Sequence, residues 1–284
     1  MKTNTLQNNS STNQRKSSFL SSNPVMRRLD KISDYSPSNS ATYGGITAKT
    51  AYFILFTVVG IIVHLVMAEK LAAGDPVNIN YKGFEIQMYS NEVIALGASV
   101  VLAIVFQLLA FFVKVTIPVT GALYCVTQGY FISFLVFKVL KGYEYLGALA
   151  LVITLVIIMV MAILYCTGIV RVTKKFKMVM TTLFITVVST TLISVAGYFI
   201  PLTRPLVTAL SQNILFSIGT SVVFIIIAAL FLICDFDTID HVVSDKLPKK
   251  YEWQAAFGLA FTVIWIYLKV LDIILTIAGN KKDS

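Results

Sequence analysis

The chain has 284 residues, 57% of them hydrophobic and only 13% charged, with a mean hydropathy of +0.80. A soluble fold of this size could not hide so much apolar surface while showing water so few charges, so a multispanning membrane protein is expected. A disulfide-rich secreted module and a disordered chain are excluded. The excess of 23 Lys and Arg over 14 Asp and Glu would hint at nucleic acid in a soluble protein; here it reads as a positive-inside bias, with a lipid bilayer and no nucleic acid as the expected surroundings.

In chain order, residues 1–43 are rich in Ser, Asn and Thr with scattered Lys and Arg. They predict a disordered, basic cytoplasmic tail, with a short amphipathic piece around Val25–Ile32 and without the apolar core or cleavage pattern of a signal peptide. Residues 44–280 then read as one all-α transmembrane domain. Its apolar segments are Thr50–Met67, Val93–Val113, Val115–Phe137, Tyr145–Val170, Met178–Ile200, Ile214–Cys234 and Ala255–Ala278. The first six reach about 18 residues or more without a formal charge, enough to cross the hydrocarbon as helices. The last carries Lys269 and Asp272, yet its uncharged stretch Trp253–Leu268 is too long and apolar to leave in water. Seven transmembrane helices are expected, with six plus a re-entrant segment as the alternative. Small residues recur every four positions at Ala95, Ser99 and Ala103, and Gly121 and Gly129 allow close approach on the next helix; both patterns fit helix packing in lipid. Cys125, Cys166 and Cys234 lie in apolar stretches with neither disulfide nor metal spacing.

Lysines and arginines orient the spans. With the amino terminus inside, the inner side collects the basic residues before helix 1, Lys114, the cluster Arg171, Lys174, Lys175 and Lys177, and the trio Lys246, Lys249 and Lys250. The outer side receives Lys70, Lys82, Lys138, Lys141, Arg204, Lys281 and Lys282. Seven spans then put the carboxyl terminus outside. The lack of a retention signal at Lys281–Ser284 points to the cell (plasma) membrane.

Enzyme chemistry finds little support. The two histidines, His64 and His241, form no pairing with a presented serine, no G-x-S-x-G or H-E-x-x-H occurs, and no glycine-rich phosphate loop precedes a helix. No catalytic residue, metal site or cofactor is expected, and His64 reads as a packed neutral residue near the outer interface rather than a ligand. The acids are more telling. Asp235 and Asp237 directly follow an apolar run, and two positions on a helix differ by about 200°, so only one of them can face the protein interior. Lys269 and Asp272 share one face inside the last span, where ionisable groups normally have a partner or line a wet cavity. They read either as a pair that neutralises itself and fixes packing, or as a gate. An acidic patch at the inner mouth of a passage would concentrate cations, and two carboxylates in reach of each other would share a proton and so sense pH without histidine.

Several stretches carry a family resemblance. Tyr165–Phe176 is similar to the pattern Y-x-T-G-I-x-R-x-T-x-x-F, Pro118–Gly129 to P-x-x-x-x-x-Y-x-x-x-x-G, and Asp235-Phe236-Asp237 to D-F-D; Tyr251–Leu259 and Trp265–Leu268 resemble a last-helix signature. Together, over about Asn23 to Asp272, they resemble the longer bacterial branch of the Bax inhibitor-1 (TMBIM) family. The resemblance implies a central last helix wrapped by two three-helix layers, and a pH-sensitive calcium leak controlled by one carboxylate on helix 6 and one on helix 7. Asp237 matches the helix 6 acid best and Asp235 second. Lys269 stands where the family has its helix 7 acid, with Asp272 three residues on, so acid and base look exchanged within one turn. A helix 6–7 hairpin about Pro248 sets Asp237 opposite roughly residue 259 and Lys269 about 15 Å deeper. The expected function is thus a passive calcium or cation leak, with Asp237 and Asp235 at the inner mouth and Lys269 paired to Asp272 as a gate. The alternative is a non-conducting regulator of partners such as membrane proteases or stress-response factors.

Overall fold

The computed structural model describes residues 40–199, 202, 203, 205, 209 and 213–283. The expected tail lies outside the described residues up to position 39, and with it the piece around Val25–Ile32. Among the described residues the main helices are α1 Tyr43–Leu71, α2 Ser90–Phe112, α3 Ile117–Ser133, α4 Tyr145–Cys166, α5 Lys174–Phe199, α6 Ile214–Ser244 and α7 Lys250–Asp283. Six of them, with α3 taken together with its flanking turns as Lys114–Val139, are long and apolar enough to cross a membrane. The chain is therefore a multi-pass, helical membrane protein. The remaining helix, α5, covers most of the expected span Met178–Ile200 but is not among the six. It is rich in hydroxyls, and those of Thr181, Thr182 and Thr186 donate to carbonyls four residues earlier, which satisfies them inside the helix itself.

Local chemistry sets the helix ends. The Thr42 side chain caps α1 by accepting from Gly45 N at 3.0 Å, and Asn213 caps α6 by accepting from Phe216 N at 3.0 Å. Pro118 sits in the first turn of α3, where no amide is needed. Past Ser133 the chain widens into a π-helical stretch, Phe134–Val139, which turns Lys138 toward α2.

α7 lies at the centre. It packs against α6, α1, α4 and α3, and its buried residues, among them Glu252, Phe257, Ala260, Thr262, Leu271 and Thr276, lie on most sides of the helix rather than in one stripe. α2, by contrast, buries a single seam of Glu92, Ser99, Ala103 and Ala110, and turns Ile94 and Val101 outward. That outward apolar surface is what a helix facing lipid needs.

Close approach between α1 and α3 depends on two glycines. A Cβ at Gly60 would lie 2.1 Å from the Val126 carbonyl oxygen, and one at Gly129 only 1.9 Å from that of Thr57. Backbone cannot yield there, so Gly129→Ala is expected to cost about 1–3 kcal/mol and lower the melting temperature of the purified protein by several degrees. Gly97→Ala, with nothing within 4 Å of the new methyl, should leave the midpoint unchanged or raise it. Thermal melts followed by circular dichroism check both.

One element was not expected. Between α1 and α2 the chain forms an antiparallel hairpin, β1 Pro76–Tyr81 and β2 Phe84–Tyr89, in register Tyr81↔Phe84. Its two-residue turn, Lys82 at φ 52° and Gly83 at φ 80°, has the left-handed pair of conformations that suits a tight hairpin. Phe84, Ile86 and Met88 of β2 are buried.

Candidate functional site

The bundle has two polar ends joined by a largely apolar interior. At the first end, Ala41 N donates to Leu247 O at 2.7 Å, tying the start of α1 to the α6–α7 connection. Glu252 in the first turn of α7 is almost fully buried there. It accepts from Thr42 N at 2.8 Å and pairs with Lys49. Gly45 makes room for it, since a Cβ there would lie 2.4 Å from Glu252 Oε1.

The two acids of α6 diverge as their 200° separation requires. Ser221, Ala228 and Val242 are buried at seven-residue spacing, and Asp235 falls on the same seam. It faces α7: Oδ1 lies 3.4 Å from where a Cβ on Gly258 would stand, and Thr262 is its polar neighbour. Its Oδ2 is buried and has no hydrogen-bond partner. Asp237 points the other way, toward α5, with Lys177 Nζ 2.5 Å from its Oδ2 and His241 Nε2 at 3.7 Å. The acid turned to the last helix is therefore Asp235, and the one that best matches the family motif is neutralised by a lysine. Asp240 accepts from the Tyr43 hydroxyl at 2.6 Å on the surface.

The second end corrects the expected Lys269–Asp272 pair. Asp272 is ion-paired with Lys82 at the hairpin turn, and its other oxygen accepts from Ser221 Oγ at 2.7 Å. Lys269, about 60° round the helix from Asp272, lies instead over the Phe224 ring of α6 with Nζ 4.7 Å from the centroid. The cause is the hairpin, which delivers a cation to Asp272 from a connection that hydropathy marks only as a loop. Nor do the acid of α6 and the family's helix 7 position meet. From Thr262, beside Asp235, to Lys269 is about 10 Å along the helix at 1.5 Å per residue.

Beside the hairpin, Glu92 at the start of α2 accepts its own cap's amide, Tyr89 N, at 3.0 Å and binds Lys138 at 2.9 and 3.0 Å. His64 Nδ1 lies 2.8 Å from Ser133 Oγ and its ring is edge-on to Tyr130, the packed role expected for it. Sequence reading gave no sign of the Lys82, Lys138 or Lys49 partners, which come from residues far apart in the chain. A cavity of about 520 Å³ opens between β2, α4 and α7, lined by Phe84, Tyr145, Leu149 and Ile274. None of the candidate ionisable residues reaches it.

A family model described as Bax inhibitor 1 like matches residues 4–279, nearly the whole chain. Among curated proteins, none matches.

Proposed function

Because the chain belongs to the Bax inhibitor 1 like family, we propose that it is a passive, pH-sensitive leak for cations, calcium among them, and that it catalyses no reaction. The observation that carries this reading is Asp235, a carboxylate on the buried seam of α6 that faces the central helix with one oxygen unpaired. A carboxylate in that position attracts a cation or a proton, because the apolar walls around it focus its field. Of the two acids expected at the inner mouth, it takes the place that the family resemblance assigns first to Asp237.

In this reading α5 is the fifth of seven spans in the plasma membrane. The amino terminus and the Arg171–Lys177 segment are cytoplasmic and the carboxyl terminus lies outside; the weight of basic residues supports it. A cytosol-restricted reporter fused after Ser284 should then be silent, and a cysteine placed at Lys174 should react with a membrane-impermeant reagent only from the inside. Labelling from outside in intact cells overturns the orientation.

One observation favours the non-conducting alternative, a regulator of membrane proteases or other membrane partners. Glu252, Asp237, Asp272 and Glu92 are each held by a lysine, so much of the acidic charge that would draw cations is already compensated. Calcium uptake by proteoliposomes separates the two readings: a leak gives uptake above that of protein-free vesicles, and a regulator does not.

A further inference from the structure

The surroundings of Lys82 have the make-up of a cation site. Its ammonium contacts three oxygens of α7: Asp272 Oδ1, the Asp272 main-chain oxygen at 3.3 Å and Thr276 Oγ1 at 2.7 Å. The Thr276 hydroxyl spends its proton on the Asp272 carbonyl at 2.8 Å, so its lone pairs are left for the cation. Ser221 Oγ donates to Asp272 Oδ2 at 2.7 Å from α6 and fixes how the carboxylate is turned. Burial, and next the charge of Asp272, hold the Tyr81 phenol just before the turn above its ordinary value, so it adds no charge there.

We propose that Asp272 and Thr276, with Ser221 holding the carboxylate in place, form a site for a small monovalent cation such as sodium, and that Lys82 occupies it as a tethered substitute. Hard oxygens from a carboxylate, a main-chain carbonyl and a hydroxyl suit a hard cation, and the single negative charge balances one positive charge. A divalent ion usually draws on more carboxylates than the one present. Exchange of the ammonium for sodium keeps the charge of this partly buried site constant, whereas an empty site would leave Asp272 unpaired.

The fold delivers the lysine with little freedom. The hairpin turn is seated on α7 where Gly279 lacks a side chain, since a Cβ there would lie 1.7 Å from the Lys82 carbonyl oxygen. Phe84, the first residue of β2, is buried directly after the turn. Lifting the hairpin and filling the site with a soluble cation are therefore coupled: either the turn is docked with Lys82 in place, or the site is open to solution. This site is separate from Asp235 and stands whether or not the protein conducts.

Melting of the full-length purified protein in sodium, potassium or choline chloride at equal ionic strength tests the proposal. Wild type should melt at nearly the same temperature in all three, because Lys82 holds the site. Lys82→Met should melt about 5 °C higher in sodium than in choline, with a saturable dependence on sodium. Lys82→Met combined with Asp272→Asn should lose that difference. Should the methionine variant fail to fold, Lys82→Gln, with a neutral polar head, gives the same comparison. A Lys82 variant that melts identically in sodium and choline, or that is stabilised by calcium but not by sodium, overturns the proposal.

Discussion

Asp235→Asn is expected to lower the calcium leak of reconstituted protein by about tenfold or more and to flatten its dependence on pH. A neutral amide removes the charge that concentrates cations between low-dielectric walls, an effect of that order or larger. It also removes the group that can exchange a proton there. Asp237→Asn should leave rate and pH profile within about twofold, because Lys177 already compensates that carboxylate. The Lys177 side chain is 45% exposed, so its loss of a partner is expected to cost at most about 1 kcal/mol. Initial rates from an entrapped calcium indicator at several pH values compare the two variants directly. The reverse ranking would return the role to Asp237 and discard the geometric argument.

Lys269→Met is expected to raise the leak. Lys82 and Asp272 compensate each other, whereas Lys269 rests on a ring without a carboxylate partner among the described residues, which leaves one uncompensated positive charge in the bundle. At about 8 Å and an effective dielectric of about 20, that charge repels a passing monovalent cation by about 2 kcal/mol, equivalent to about thirtyfold in rate, and a divalent ion more strongly. The reason differs from the one the sequence suggested: the lysine opposes cations by its own field, not by closing on Asp272. Lys269→Asp should go further, since it puts an acid where the family has one. Loss of the contact with Phe224 should destabilise either variant by no more than about 2 kcal/mol. Two folded variants as silent as wild type would reduce Lys269 to a packing residue.

Hydropathy was enough to read the membrane class and the approximate helices, because a span must be apolar over a fixed length whatever its neighbours. For several helices it read the apolar core and missed the amphipathic ends. α6 runs ten residues past Cys234 to Ser244, and α1 begins at Tyr43 rather than Thr50. The hairpin did leave a signal. Val77, Ile79 and Tyr81 alternate with polar residues before Lys82-Gly83, and Phe84, Ile86 and Met88 alternate after it, but the stretch is far shorter than a span. The choice between Asp235 and Asp237 was legible too, since Ser221, Ala228, Asp235 and Val242 keep a seven-residue phase that Asp237 breaks. The lysine partners were not legible. Lys82 reaches Asp272 across 190 residues, and nothing in either local sequence names the other.

Calcium uptake by proteoliposomes holding wild type or Asp235→Asn, matched for protein content and followed through a pH step, tests most directly whether the protein leaks through Asp235. Wild type should take up calcium faster than protein-free vesicles, at a rate that changes with pH, and the Asp235 variant should lose both. Wild-type vesicles no leakier than protein-free ones, or an Asp235→Asn protein that leaks with the wild-type rate and pH profile, would contradict it.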